Sequence, residues 1–217
     1  MENYQKLALV THRQQTPLPE YLDFIKRCAL SGITALQLRE KEASLPFLLE
    51  FGTRLKEILT PLHIPLIVND NVELAQQLDA GGVHLGQKDG DPLYARELLG
   101  PNKIIGLSIE HRDELNAANR LEGRLYVAAS SVFATKNKHN LKTIWGISGL
   151  QTLVQHSAHP VVAIGGINDT NLPEILNAGA VGIAVIGIIH DSPHPEKTTK
   201  ELRTILDKHL NKGTTHD

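Results

Sequence analysis

Ile67–Asp89 reads IVNDNVELAQQLDAGGVHLGQKD, two short apolar runs with one helical window between them. The runs are Leu66–Val68 and Gly82–Leu85, and each passes into a polar end, Asn69-Asp70 after the first and Gln87-Lys88-Asp89 after the second. Val72–Leu78 supplies the apolar spacing of a helix between them. Parallel strands need a crossover of about a dozen residues or more, and the crossover is right-handed, so the stretch predicts a βαβ unit. Both strands of such a unit leave the sheet at the same carboxyl edge, which places Asp70 beside Asp89. Two adjacent carboxylates call for a cation. A hard divalent ion such as Mg²⁺ suits them, because it takes one or two carboxylates and completes its shell with water and substrate phosphate.

Working outward, the same alternation runs the length of the chain. Strands are expected at Leu7–Val10, Ile33–Leu38, Leu66–Val68, Gly82–Leu85, Ile104–Leu107, Leu125–Ala128, Val161–Ile164 and Gly182–Ile186. Helical spacing follows each one, at Tyr21–Leu30, Pro46–Leu59, Val72–Leu78, Pro92–Leu99, Arg112–Asn119, Ile147–Gln155, Leu172–Ala178 and Lys197–His209. Asp91-Pro92 reads as a cap before a first-turn proline, and Asp169 or Thr170 and Ser192-Pro193 read similarly. Eight βα units in 217 residues make a lean α/β fold, a (β/α)8 TIM barrel in a single domain over residues 1–217. A doubly wound sheet that bound a dinucleotide would carry G-x-G-x-x-G after its first strand, where this chain has Thr11-His12-Arg13-Gln14-Gln15.

Composition narrows the ligand. A net charge of −2 and scattered basic residues exclude an electrostatic hold on nucleic acid, and no apolar run reaches the length of a bilayer span. Without a basic apolar leader at Met1–Tyr4, and with Cys28 alone in an apolar helical stretch, a reducing cytoplasmic setting is expected. The eleven histidines make no metal pattern, and His84, inside a strand, reads first as a hydrogen-bonded core residue.

In a barrel the residues that end strands carry function. Strand two ends Gln37-Leu38-Arg39-Glu40-Lys41, and its alternation puts Gln37, Arg39 and Lys41 on one side. Barrel strands are apolar on both faces, so this cluster predicts a bound anion, gripped by charge-assisted hydrogen bonds; the alternative is a solvated loop paired to Glu40 and Glu42. Asp70 has a competing role as a helix cap with Glu73, and Asp89 as a turn residue. Gly165-Gly166 ends strand seven and Gly187 strand eight, where barrels commonly bind phosphate. Ser130 to Asn140 is a long loop of hydroxyl, amide and lysine side chains suited to a lid, and Ser108 ends strand five.

Taken in order, Gln37-Leu38-Arg39-Glu40-Lys41, Val68-Asn69-Asp70, Gly82 to Asp89, Thr135 to Lys138 and Ile164-Gly165-Gly166-Ile167 closely resemble the thiamine-phosphate synthase family over nearly the whole chain. The resemblance implies a (β/α)8 barrel that joins a hydroxymethylpyrimidine diphosphate to a thiazole phosphate, releases pyrophosphate and uses Mg²⁺. It implies that Gln37, Leu38, Arg39, Glu40, Lys41, Asn69, Ser108 and Lys138 hold the pyrimidine diphosphate and that Asp70 and Asp89 hold the metal. Thr135, Lys136, Asn137, Gly166, Ile186 and Gly187 would meet the thiazole phosphate, with Arg39, Lys41 and Lys138 neutralising the departing diphosphate. Small-molecule substrates are then the partners, with no nucleic acid or membrane, and a homo-oligomer is compatible with the sequence. The chain departs from the family pattern at Ser130-Ser131, Ala134, Asn137 and Gly187. The alternatives are a thiazole tautomerase-like enzyme, which has no leaving diphosphate to neutralise, and a non-catalytic thiazole phosphate binder.

Overall fold

The structure, a computed structural model, describes residues 2–136 and 143–212, with the side chains of 211 and 212 left out. All eight expected strands are present: β1 Leu7–Val10, β2 Ala35–Leu38, β3 Leu66–Asn69, β4 Gly82–Leu85, β5 Ile104–Ile109, β6 Leu125–Ser130, β7 Val161–Ile164 and β8 Gly182–Val185. They pair in parallel in sequence order, and Leu9 of β1 pairs with Val185 of β8 to close the barrel. Closure rules out the doubly wound sheet, which keeps two edges. The outer ring is α1 Leu18–Ser31, α2 Leu45–Leu59, α3 Val72–Gln77, α4 Pro92–Leu99, α5 Arg112–Ala118, α6 Gly146–His156, α7 Leu172–Asn177, α8 Gly187–His190 and α9 Pro195–Lys212.

Strand alternation divides the apolar residues between two cores. Leu7, Leu9, Leu36, Leu38, Val68 and Leu85 face outward beneath the helices with Phe51, Leu55 and Ile25. Ala8, Val10, Ala35, Ile67, Ala128 and Ala184 face inward around Tyr126. Both strand faces are buried, as a parallel sheet covered by crossovers requires. The interior is narrow, and small residues there leave room for the larger ones. A Cβ on Gly106 would lie 2.4 Å from both the His84 ring and the Tyr126 ring.

Three expected helix caps change, although α3 and α7 start at Val72 and Leu172 as the apolar spacing predicts. Asn71, not Asp70, caps α3, its Oδ1 accepting the Leu74 N–H at 2.7 Å. α7 begins after Asn171 rather than at Asp169 or Thr170, because the Asn168 side chain takes the N–H groups of Thr170 and Asn171 into a turn first. α9 begins at Pro195, three residues beyond Ser192, whose hydroxyl accepts the His194 N–H. Asp91 caps α4 as expected, accepting from Leu93 at 2.9 Å. The four-residue α8 has no counterpart among the helices expected from apolar spacing, being too short for a periodic signal.

Candidate active site

The carboxyl ends of the strands enclose a cavity of about 730 Å³. Gln37, Arg39 and Lys41 line it, while Leu36 and Leu38 of the opposite alternation are fully buried under the helices. The direction of this strand end is set from β1. Thr11, fully buried, donates its N–H to the Gln37 carbonyl at 2.8 Å, and its hydroxyl accepts from the Arg39 N–H at 2.9 Å. Of the five residues Gln37–Lys41, two do not reach the cavity with their side chains. Leu38 belongs to the outer core, and Glu40 accepts the Arg13 N–H at 3.1 Å.

Asp70 and Asp89 meet at the same rim. The Asp70 N–H donates to the His84 carbonyl at 2.9 Å, so Asp70 continues the β3–β4 ladder before the backbone turns at φ +69°. Asp89 lies four residues past the end of β4, yet a reverse turn brings it back. Its N–H donates to the Gly86 carbonyl at 3.2 Å and its Oδ2 accepts the Gly86 N–H at 2.8 Å. Asp89 therefore is a turn residue that also lines the cavity. Burial first, and Asp89 within hydrogen-bonding reach second, together raise the Asp70 carboxyl from near 3.8 to about 6 against the pull of Lys41 and Arg39. The Lys41 ammonium stands 3.8 Å from Asp70 Oδ2. Beside the pair, Asn69 Oδ1 is buried and accepts no hydrogen bond from the protein. An orphaned carbonyl oxygen and two mutually repelling carboxyls thus line one cavity as hard oxygen donors. Among the described residues no third His, Cys, Asp or Glu joins them, and a magnesium-type ion needs none.

The floor of the cavity is a chain of buried polar groups that strand-end reading does not reveal. Gln37 Nε2 donates to the Tyr126 hydroxyl at 3.1 Å, His84 Nδ1 is 2.9 Å from that hydroxyl, and His84 Nε2 is 2.9 Å from the Ser108 hydroxyl. Gln37, His84 and Ser108 line the cavity, and Tyr126 joins them from below. Burial holds the Tyr126 hydroxyl well above its ordinary range, so it stays protonated and can donate. Tyr126 sits mid-strand, where a sequence shows only another β-former; the Gly106 opposite it is the one signal that something large needs space.

The far rim is built from backbone. Gly165 and Gly166 have φ of +98° and +64°, and both pack against the loop after β6. A Cβ on Gly165 would strike the Ser131 hydroxyl, and one on Gly166 would lie 2.6 Å from the Ala134 carbonyl oxygen and from Phe133 Cβ. The Val132 N–H donates to Ile164 O and the Phe133 N–H to Gly165 O. The glycine pair thus seats one loop on another, and Ser131 fills the space above Gly165. Gly166, Ile186, Gly187, Thr135 and Lys136 all line the cavity, with Lys136 paired to Asp191 at 3.2 Å. Asn137 and Lys138 lie outside the described residues.

The family model described as thiamine monophosphate synthase matches residues 7–189. A thiamine-phosphate synthase of Chlamydia abortus is 51% identical over 209 residues, 96% of this chain and 98% of its own. One from Vibrio parahaemolyticus is 41% identical over 94% of this chain and all of its own length. Among solved structures, thiamine phosphate pyrophosphorylase from Pyrococcus furiosus superposes with a TM-score of 0.85 at 35% identity, covering 96% of this chain and 98% of that one.

Proposed function

The chain belongs to the thiamine monophosphate synthase family, and from that membership we propose that it joins a hydroxymethylpyrimidine diphosphate to a thiazole phosphate, yielding thiamine phosphate and pyrophosphate. The observation that carries this reading is one cavity bounded on one side by Arg39, Lys41 and the Asp70–Asp89 pair, and on the other by the backbone of Gly166, Ile186 and Gly187. Two anions fit such a cavity. The charged side holds the diphosphate and the backbone side the single phosphate.

Arg39 and Lys41 grip the diphosphate and neutralise the charge that grows on it as its bond to the pyrimidine methylene carbon breaks. Asp70 and Asp89, with the Asn69 carbonyl beside them, would hold Mg²⁺. When bound, that ion supplies Lewis-acid stabilisation of the departing diphosphate. Gln37, held by Tyr126, and Ser108, held by His84, bound the floor where the pyrimidine ring rests, so its methylene carbon faces the thiazole nitrogen. Thr135, Lys136 and the Gly166 and Gly187 N–H groups orient the thiazole phosphate. The nitrogen attacks carbon and diphosphate leaves with the bond pair, so the protein supplies no nucleophile. A binder of thiazole phosphate alone would have no use for the acid pair or the cationic strand end.

No helix among the described residues is long and apolar enough to cross a membrane. Cys28 is buried, which pushes its thiol up to about 12, and it is the only cysteine in the sequence; a cytoplasmic location accords with both. The test of the reaction mixes both phosphorylated precursors with the protein, with and without Mg²⁺, and follows thiamine phosphate. Product that depends on Mg²⁺ supports the synthase and its metal. Folded protein that makes none in either condition overturns it in favour of a binder.

A further inference from the structure

We propose that Tyr21 and His190, both outside the cavity lining, are positioning residues that aim the Gly187 backbone N–H at the phosphate of the thiazole substrate; this rests on the synthase reading for the substrate's identity. The geometry runs through four groups in series. The His12 N–H donates to the Tyr21 hydroxyl at 2.8 Å. That hydroxyl is 2.7 Å from His190 Nε2, and His190 Nδ1 is 3.0 Å from the Ile186 carbonyl oxygen. A carbonyl oxygen only accepts, so Nδ1 carries the proton. In the neutral ring Nε2 is then the acceptor, and Tyr21 is its donor. Burial holds His190 below its ordinary value, with His12 acting in the same direction, which keeps the ring neutral. With a bond on each ring nitrogen the imidazole can neither flip nor change tautomer. The Phe24 ring packs against the imidazole as well, at 5.0 Å between ring centroids.

The consequence falls on a single peptide unit. Ile186 and Gly187 are joined by a trans bond, in which C=O and N–H point in opposite directions. The Ile186 carbonyl is held by His190 Nδ1–H and by the N–H groups of Ile189 and His190. Those bonds point the oxygen into α8, so the Gly187 N–H points out of the first turn of that helix, and Gly187 lines the cavity. His12, in the connection after β1, is thereby joined to the phosphate side through Tyr21. The same connection is joined to the diphosphate side through Thr11, whose hydroxyl bonds Arg39.

The test uses Tyr21→Phe, His190→Leu and His190→Asn in the full chain, with steady-state kinetics for each substrate and the Gly187 amide followed by NMR as inorganic phosphate is added. Removing one such hydrogen bond should raise KM for thiazole phosphate about fivefold to tenfold in Tyr21→Phe and His190→Leu. KM for the pyrimidine diphosphate should not move, and the Gly187 amide should lose much of its response to phosphate. His190→Asn keeps a donor near the Nδ1 position and should recover part of both. The proposal is overturned if both KM values rise together, which is general loosening, or if neither the thiazole KM nor the amide response changes. If Tyr21→Phe does not fold, the His190→Asn and His190→Leu pair decides alone. The amide readout needs no turnover. A wild-type protein that makes no thiamine phosphate but shows a His190-dependent amide response would sink the synthase reading and leave the positioning role standing.

Discussion

The two sides of the barrel mouth offer an anion different groups. On the β2–β4 side the work falls to side chains: Arg39, Lys41 and the Asp70–Asp89 pair, set at strand ends by ladder bonds and one reverse turn. On the β7–β8 side it falls to backbone, at Gly166, Ile186 and Gly187, where side chains are small or face elsewhere. In the proposed reaction the departing diphosphate would call on formal cations and a metal, whereas a phosphate that stays in place would need only N–H dipoles. The charged side should therefore fail when a side chain is truncated, and the backbone side when one is added.

That contrast is sharpest at Asp70. Asp70→Ala should lower kcat/KM about 100-fold to 1,000-fold, the usual loss for an electrostatic partner of the transition state. Binding of thiazole phosphate, measured by calorimetry, should remain; if turnover and its Mg²⁺ dependence survive in both Asp70→Ala and Asp89→Ala, the metal assignment is wrong. Gly166→Ala tests the other side. Its Cβ would lie 2.6 Å from the Ala134 carbonyl oxygen at a φ of +64°, so a cost of about 1–3 kcal/mol is expected. Thermal unfolding should show that loss, and thiazole phosphate affinity should fall while diphosphate affinity holds. Tyr126→Phe lies between the two regions and should blur them. It leaves Gln37 Nε2 and His84 Nδ1 without their shared partner, at about 1–3 kcal/mol of stability and a moderate rise in KM for the pyrimidine substrate.

The smallest expected effect is a pH dependence with an unusual sign. Asp70 has its folded-state value raised to about 6, so between about 4 and 6 the folded protein binds more protons than the unfolded chain. Stability of the metal-free protein therefore falls as pH rises through that window, the reverse of an acid in a salt bridge. Added Mg²⁺ should raise Tm above pH 6 and have little effect at pH 4, where Asp70 is protonated. A Tm profile in which Asp70→Asn shows the same slope as wild type would remove Asp70 as its source.

How much of this could be read from residues alone follows from which forces act locally. Strand and helix order was legible because apolar periodicity is local, and barrel closure followed from counting the units. The acid pair was legible because a βαβ unit fixes which edge both strands leave by, and Gln37, Arg39 and Lys41 because strands alternate strictly. Tyr126 was not. Its importance comes from His84, Gln37 and Gly106 on three other strands, and no local pattern encodes that meeting. The roles of Gly165 and Gly166 were half legible: the glycines announced a close approach, but what approaches is Ser131 and the loop that carries it. The cap of α3 moved from Asp70 to its neighbour Asn71, since a difference of one residue changes little in propensity and everything in the direction of a side chain.

The division of duties between Asp70 and Asn71 reaches beyond the site. Asn71 fastens the helix, so the neighbouring acid is not needed as its cap and is left facing Asp89. If Asp70 holds the proposed metal, a descendant that exchanged this carboxylate for an amide would lose the reaction yet shed the repulsion from Asp89. Selection can preserve the acid only through the chemistry it performs, and a robust, well-folded relative lacking it would be the natural outcome wherever thiamine is acquired rather than made.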